Sequence, residues 1–221
     1  MHLNLPNLLT ILRLFAAPGI VVAFLVLPRP LADWTAISLF LGASVTDYVD
    51  GQLARAWKQE TKLGAMLDPI ADKAIVLTAL LTLAAVWQPV WLILLPAALI
   101  VFREVFVSGL REFLGDTAGT LKVTQLAKWK TTIQMVAITV LLAKGIIEHS
   151  LFERIVGLDQ EIYDLIIRGL EPDVLGLRWR EALIDWLRWG GVALLWLATA
   201  LTLITGFDYF TKARPHLQGA K

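Results

Sequence analysis

The sequence predicts an all-α integral membrane protein with six transmembrane helices. Three observations carry that prediction. Of 221 residues, 57% are hydrophobic. The apolar residues fall in runs of about 20, the length that crosses a bilayer's hydrocarbon core. Polar or proline-marked breaks separate the runs, so consecutive spans have room to reverse.

The first span is expected at about 8–27, interrupted only by Thr10 and Arg13 and stopped by Pro28, Arg29 and Pro30. Asn7 stands where a helix cap would, with a donor free for a substrate phosphate as the other reading. The second span is expected at about 34–57, with a polar turn, KQETKL, over 58–63. The third is expected at about 65–87, with Pro69 in its first turn, where proline is tolerated. Gln88 and Pro89 reverse the chain into a fourth span at about 90–113. A polar stretch with Gly115, Gly119 and Lys122 leads to a fifth span at about 128–147, and the last is expected at about 190–210. Between the last two, residues 149–188 alternate apolar and charged positions at helical spacing. They predict two amphipathic helices lying on the outer membrane surface. The whole chain, 1–221, reads as one membrane-embedded domain.

Six spans place both termini on one side. That side and its helix ends hold 13 of the 20 Lys and Arg, which puts the termini in the cytoplasm by the positive-inside rule. The net charge of +1 offers no basis for nucleic-acid binding. Cysteine is absent, which excludes disulfides and thiolate metal sites. The N-terminal stretch lacks the features of a cleaved signal, so the first span is expected to be retained.

The chemistry concentrates in 47–72, DYVDGQLARAWKQETKLGAMLDPIAD. Asp47 and Asp50 are three apart, and Asp68 and Asp72 are four apart. Each spacing puts two carboxylates on one helix face. A lone pair of acids is usually a solvated face. Four at the ends of two apolar helices are costly and point to function. Gathered in one place they repel unless cations neutralise them, and hard divalent ions take oxygen ligands. Gly51, Ala54 and Gly64 remove bulk beside the carboxylates, and Arg55 adds a cation suited to phosphate.

The pattern Asp47-x2-Asp50-Gly51-x2-Ala54-Arg55-x8-Gly64-x3-Asp68-x3-Asp72 resembles, position for position, the signature of the CDP-alcohol phosphotransferase family. The resemblance implies that family's six-helix fold, a homodimer, and transfer of a phosphatidyl group from a CDP-linked lipid with release of CMP. It implies metal at Asp47, Asp50, Asp68 and Asp72, as two Mg2+ or Mn2+ ions, with Asp72 also the general base. It places Thr46, Gly51, Ala54, Arg55 and Gly64 around the CDP-lipid, with Asn7 reaching its diphosphate.

Arg103, Arg111, Lys128 and Lys130, with Ser108 among them, lie on the fourth and fifth spans near the same membrane face. So many cations suit a phosphorylated acceptor, since guanidinium forks match phosphate. Some of these cations would serve equally well as headgroup anchors. The stretches NLPNLLTILRLFAAP, REVFVSGLRE, AKWKTTIQMVAI and TGFDYFTKARP resemble the bacterial branch of the family whose acceptor is glycerol 3-phosphate. That resemblance implies CDP-diacylglycerol and glycerol 3-phosphate as substrates, in the bacterial inner membrane among its lipids. Residues 149–188 depart from it. Inositol phosphate or phosphatidylglycerol as acceptor is the alternative within the family. A cation transporter is the alternative outside it, disfavoured by an arginine beside the ion path.

Overall fold

The computed structural model describes residues 4–57, 61–115 and 125–218, with side chains except at 48–57, 125, 127 and 128. Among the described residues the chain is helical throughout. The helices are α1 (Leu5–Val26), α2 (Leu31–Trp57), α3 (Lys62–Val86), α4 (Trp91–Leu114), α5 (Gln125–Ile155), α6 (Gln160–Ile167) and α7 (Leu177–Gln218).

Local chemistry sets most helix starts. Asn4, not Asn7, caps α1, and its side chain accepts the Asn7 N–H at 3.0 Å. Pro6 occupies the first turn, where no N–H is needed. Thr61 caps α3 by accepting the Gly64 N–H at 3.0 Å. That cap starts α3 earlier than the sequence suggests, so Pro69 lies inside the helix rather than in its first turn. Its missing N–H deprives the Ala65 carbonyl of the usual helical donor.

Among the described residues, α1, α3, α4, most of α5 and α7 are each long and apolar enough to cross a membrane. The chain is an all-α, multi-pass membrane protein. These helices match five of the six expected spans, and part of the sixth, at 34–57, lies outside the described side chains. Large apolar residues face outward along the spans, among them Phe15, Leu25, Phe102 and Phe207. Such a surface suits lipid, not water.

Packing orders the bundle. α1 lies against α2 and α3, α7 against α5 and α4, and α2 reaches across to α5. The central core joins Ile20, Phe40, Leu80, Leu83, Ile93, Ile138, Leu141 and Leu195. Along α1 the buried face reads Asn7, Thr10, Arg13, Ala17 and Ile20. It is polar at the N-terminal end and apolar deeper, which places polar chemistry at one end of the bundle.

The outer segment differs from expectation. Residues 177–218 form one helix of 42 residues. At 1.5 Å per residue it rises about 63 Å, roughly twice the hydrocarbon thickness. The amphipathic stretch after Leu177 is therefore the first part of α7, not a separate surface helix. Gly190 and Gly191 do not break it. A Cβ at Gly191 would lie 2.7 Å from Leu141 Cδ2, so the glycine serves the close passage of α7 past α5. The ends of α5 and α7 enclose α6 in a small second core of Leu151, Ile166, Leu177 and Ile184. Tyr163 donates to Glu181 within this cap, and Asp173 accepts the Leu177 N–H at 2.7 Å.

Candidate active site

Arg13 is the centre of the aspartate cluster. Its side chain is 1% exposed. Its guanidinium pairs with Asp47, lies 2.9 Å from Asp72 and 3.6 Å from Asp68. The Thr10 hydroxyl, one turn earlier, donates to Asp68 at 2.8 Å. Helix α1 thus supplies the cation and α2 and α3 the carboxylates. In the sequence Arg13 stands only among the cations that set topology, although a lone arginine in an apolar span is itself a signal of function.

The burial is one-sided. Asp47, Asp68 and Asp72 are each about half exposed while Arg13 is sealed behind them. One guanidinium against three carboxylates leaves an excess of negative charge facing outward. Among the described residues no three acids or histidines close on a point tightly enough to enclose an ion. Arg13 stands among these three instead. The donors are all oxygen and their charge is only partly met, so the set fits hard divalent cations added from the open side. The Asp50 side chain lies outside the described residues, as do those of Gly51, Ala54 and Arg55.

Asn7 is buried one turn before Thr10. Its Oδ1 accepts the Thr61 hydroxyl at 2.9 Å, while its Nδ2 is buried without an acceptor. Gly64 is buried against it. A Cβ there would meet Asn7 Oδ1 at 2.9 Å, so this glycine lets α3 close onto α1. Thr46 donates to the Ala43 carbonyl at 3.0 Å. It lines an apolar groove of about 400 Å³ between α1 and α2, which runs from Arg13 along Ala16, Gly19, Leu39 and Gly42.

A second cavity, of about 320 Å³, lies among α3, α4 and α5. It brings Asp72 together with Lys73, Glu104, Arg111, Lys130 and Gln134. Three cations there face two carboxylates. Lys130 is buried and lies 2.5 Å from Glu104, which also pairs with Arg103 at 2.9 Å. Arg103 extends toward Thr205 at 3.3 Å, and its stem packs where a side chain at Gly206 would sit. It does not line the cavity. Ser108 donates to the Glu104 carbonyl at 2.6 Å and accepts from the Lys73 ammonium, so it orients Lys73. Arg111 is exposed, its guanidinium 5.3 Å from the Tyr209 ring centre. The Lys128 side chain lies outside the described residues. Of the expected acceptor-side residues, then, Arg111 and Lys130 meet Asp72 at one cavity. Lys73, Glu104 and Gln134 join them unforeseen. Lys73 directly follows Asp72, and Gln134 follows Lys130 by one turn, spacings that could have flagged both.

A membrane-embedded carboxylate cluster beside a cationic cavity defines a class of enzyme that handles phosphorylated groups at the bilayer surface. The chain belongs to the CDP-alcohol phosphatidyltransferase family, whose model matches residues 3–167. It is 53% identical over 223 residues to the CDP-diacylglycerol–glycerol-3-phosphate 3-phosphatidyltransferase of Cereibacter sphaeroides, covering all of both chains. It is 33% identical over 219 residues to the protein of that name in Escherichia coli K12, covering 98% of each.

Proposed function

We infer that the chain transfers the phosphatidyl group of CDP-diacylglycerol to sn-glycerol 3-phosphate, giving phosphatidylglycerophosphate and CMP. The observation that carries this reading is the single cavity joining Asp72 to Lys73, Arg111 and Lys130. It offers a proton acceptor and phosphate-binding cations to one small molecule. Full-length similarity to the Cereibacter sphaeroides enzyme supports the same acceptor.

The CDP-lipid sits on the carboxylate side, with its diphosphate near Asn7 Nδ2 and Arg55, and with Thr46, Gly51, Ala54 and Gly64 around it. The apolar groove between α1 and α2 suits an acyl chain, because the outward-facing Phe15 lines it and it runs from Arg13 and Thr46 at one end to Gly19 and Ser38 at the other. Asp47, Asp50, Asp68 and Asp72 are the residues to hold divalent ions, magnesium or manganese. Ions bound there would supply positive charge that neutralises the diphosphate and eases loss of the hydroxyl proton. In the cavity, Arg111, Lys130 and Lys73 hold the acceptor phosphate. Asp72 takes the proton of the acceptor's C1 hydroxyl. The new bond forms from that oxygen to the phosphorus bearing the diacylglycerol. The bond from that phosphorus to the bridging oxygen breaks, and CMP leaves with the oxygen. The excess of Lys and Arg around this end supports a cytoplasmic site in the bacterial inner membrane, with the enzyme working as a homodimer.

The test is an acceptor panel with purified enzyme and labelled CDP-diacylglycerol. Glycerol 3-phosphate should give labelled phosphatidylglycerophosphate with stoichiometric CMP. Preference for inositol phosphate or phosphatidylglycerol would refute the assignment of acceptor.

A further inference from the structure

Gln134 is a polar side chain deep in a spanning helix. It lies on α5 one turn beyond Lys130, so the two share a helix face. Only 4% of the residue is exposed, and its Oε1 is buried without any hydrogen-bond donor. Yet it lines the same cavity as Asp72, Lys130 and Arg111. A buried amide oxygen left unpaired is costly, and native structures rarely keep one without use. The carboxamide can turn about its last bond to present either carbonyl or N–H2 to the cavity. A hydroxyl group, donor and acceptor at once, satisfies it in either orientation.

Resting on the functional reading above, we propose that the Gln134 carboxamide recognises the acceptor's second hydroxyl, the one that does not attack. Lys73, Arg111 and Lys130 bind the acceptor phosphate at one end of the molecule. Asp72 faces the attacking hydroxyl at the other. The C2 hydroxyl of glycerol 3-phosphate lies between them, and Gln134 is the buried neutral polar group without a charge of its own at that cavity. Glu104, the other carboxylate there, is occupied by Lys130 and Arg103. Gln134 is thereby a specificity-determining residue. It separates a vicinal diol phosphate from a simple alkanol phosphate, a discrimination that the cations and Asp72 cannot make.

The experiment compares sn-glycerol 3-phosphate with 3-hydroxypropyl phosphate, which keeps the attacking hydroxyl and the phosphate but lacks the C2 hydroxyl. In the parent enzyme kcat/KM should favour glycerol 3-phosphate by roughly 5- to 150-fold, the range for leaving a buried polar partner unpaired. Gln134→Met keeps the length of the side chain without its hydrogen bonds. It should lower kcat/KM for glycerol 3-phosphate by that factor and leave the value for 3-hydroxypropyl phosphate nearly unchanged, so that the preference collapses. A merely structural role would lower both together, and an unchanged preference in Gln134→Met overturns the proposal. Absence of preference in the parent overturns it without recourse to any variant. Failure of the parent to use either acceptor, with CMP released only to some other alcohol, would instead remove the functional reading on which the proposal rests.

Discussion

Replacing Arg13 by Met removes the cation at the centre of the carboxylate cluster while keeping an unbranched side chain in its buried slot. Taking one partner from a fully buried ion pair costs about 3–5 kcal/mol. Here the guanidinium is sealed but its three partners are each about half exposed, so water screens every pair. Exposed pairs are worth at most about 1 kcal/mol each, and three of them give roughly 1.5–3 kcal/mol in all. For a chain of this size that is a fall in Tm of about 3–12 °C. The carboxylates left behind should bind divalent ions more tightly, because the competing cation is gone. Saturating Mg2+ should therefore restore most of the lost stability in Arg13→Met but add less to the parent. Thermal unfolding in detergent, with EDTA and with Mg2+, reads both effects. A Tm in EDTA within about 1 °C of the parent, or a deficit that Mg2+ leaves intact, would refute the reasoning, since either means that Arg13 does not balance these charges.

Four further outcomes are expected. Turnover should vanish in EDTA and return with Mg2+ or Mn2+, because Arg13 offsets only part of the carboxylate charge; full activity in stripped enzyme would exclude metal ions from the reaction. Asp72→Asn should lower kcat by about 10²- to 10⁴-fold with CDP-lipid binding largely kept, whereas Asp47→Asn should weaken CDP-lipid binding itself; titration and turnover giving the reverse pattern would exchange their roles. Gly42→Phe should raise KM for long-chain CDP-diacylglycerol well above that for short-chain analogues, since a Cβ at Gly42 meets nothing and the ring would fill the groove; equal effects on both chain lengths would place the acyl chain elsewhere. In the outer cap, desolvation disfavours the Asp173 charge, but the N–H groups of Leu177 and Arg178 and the Arg178 guanidinium outweigh it and hold its pKa below the ordinary 3.8. Its stabilisation of the start of α7 is thus fully present above that value and lost as pH falls through the lower folded one, so proteolysis near 168–176 should accelerate only in acid for the parent and already at neutral pH for Asp173→Ala.

The aspartates could be read from sequence because their meaning lies in spacing, and spacing survives without coordinates. The helical class was equally plain, since bilayer thickness dictates run length. Arg13 was not legible as their partner, because nothing along the chain links residue 13 to residues 47, 68 and 72; only the packing of α1 on α2 and α3 does. The cavity hid for the same reason. Arg103 and Lys130 look alike as cations in the sequence and share Glu104, yet Lys130 lines the cavity while Arg103 extends away to Thr205. At the outer end, the change from amphipathic to apolar composition near residue 190 separates a surface helix from the last span in the sequence, yet α7 runs through it. In the bundle Gly191 is the narrow point that lets one long helix pass Leu141, while Gly190 faces open space. Asn7 was placed at a cap because it precedes the apolar run, but Asn4 is better spaced to accept its N–H.

The apolar groove lies between α1 and α2, while the cavity beside Asp72 lies among α3, α4 and α5. With the acyl chain in the groove and glycerol 3-phosphate in the cavity, as proposed, one substrate is sampled as a mole fraction within a film and the other as a molarity in bulk water. Diluting the CDP-lipid with inert detergent, at fixed total amount, should slow the reaction by surface dilution while the acceptor's KM stays put. The lipid product never has to be pulled out of its film, so departure costs the enzyme no exposure of acyl chain to water. A competitor built for the groove would compete by its share of the membrane, not by its dissolved concentration.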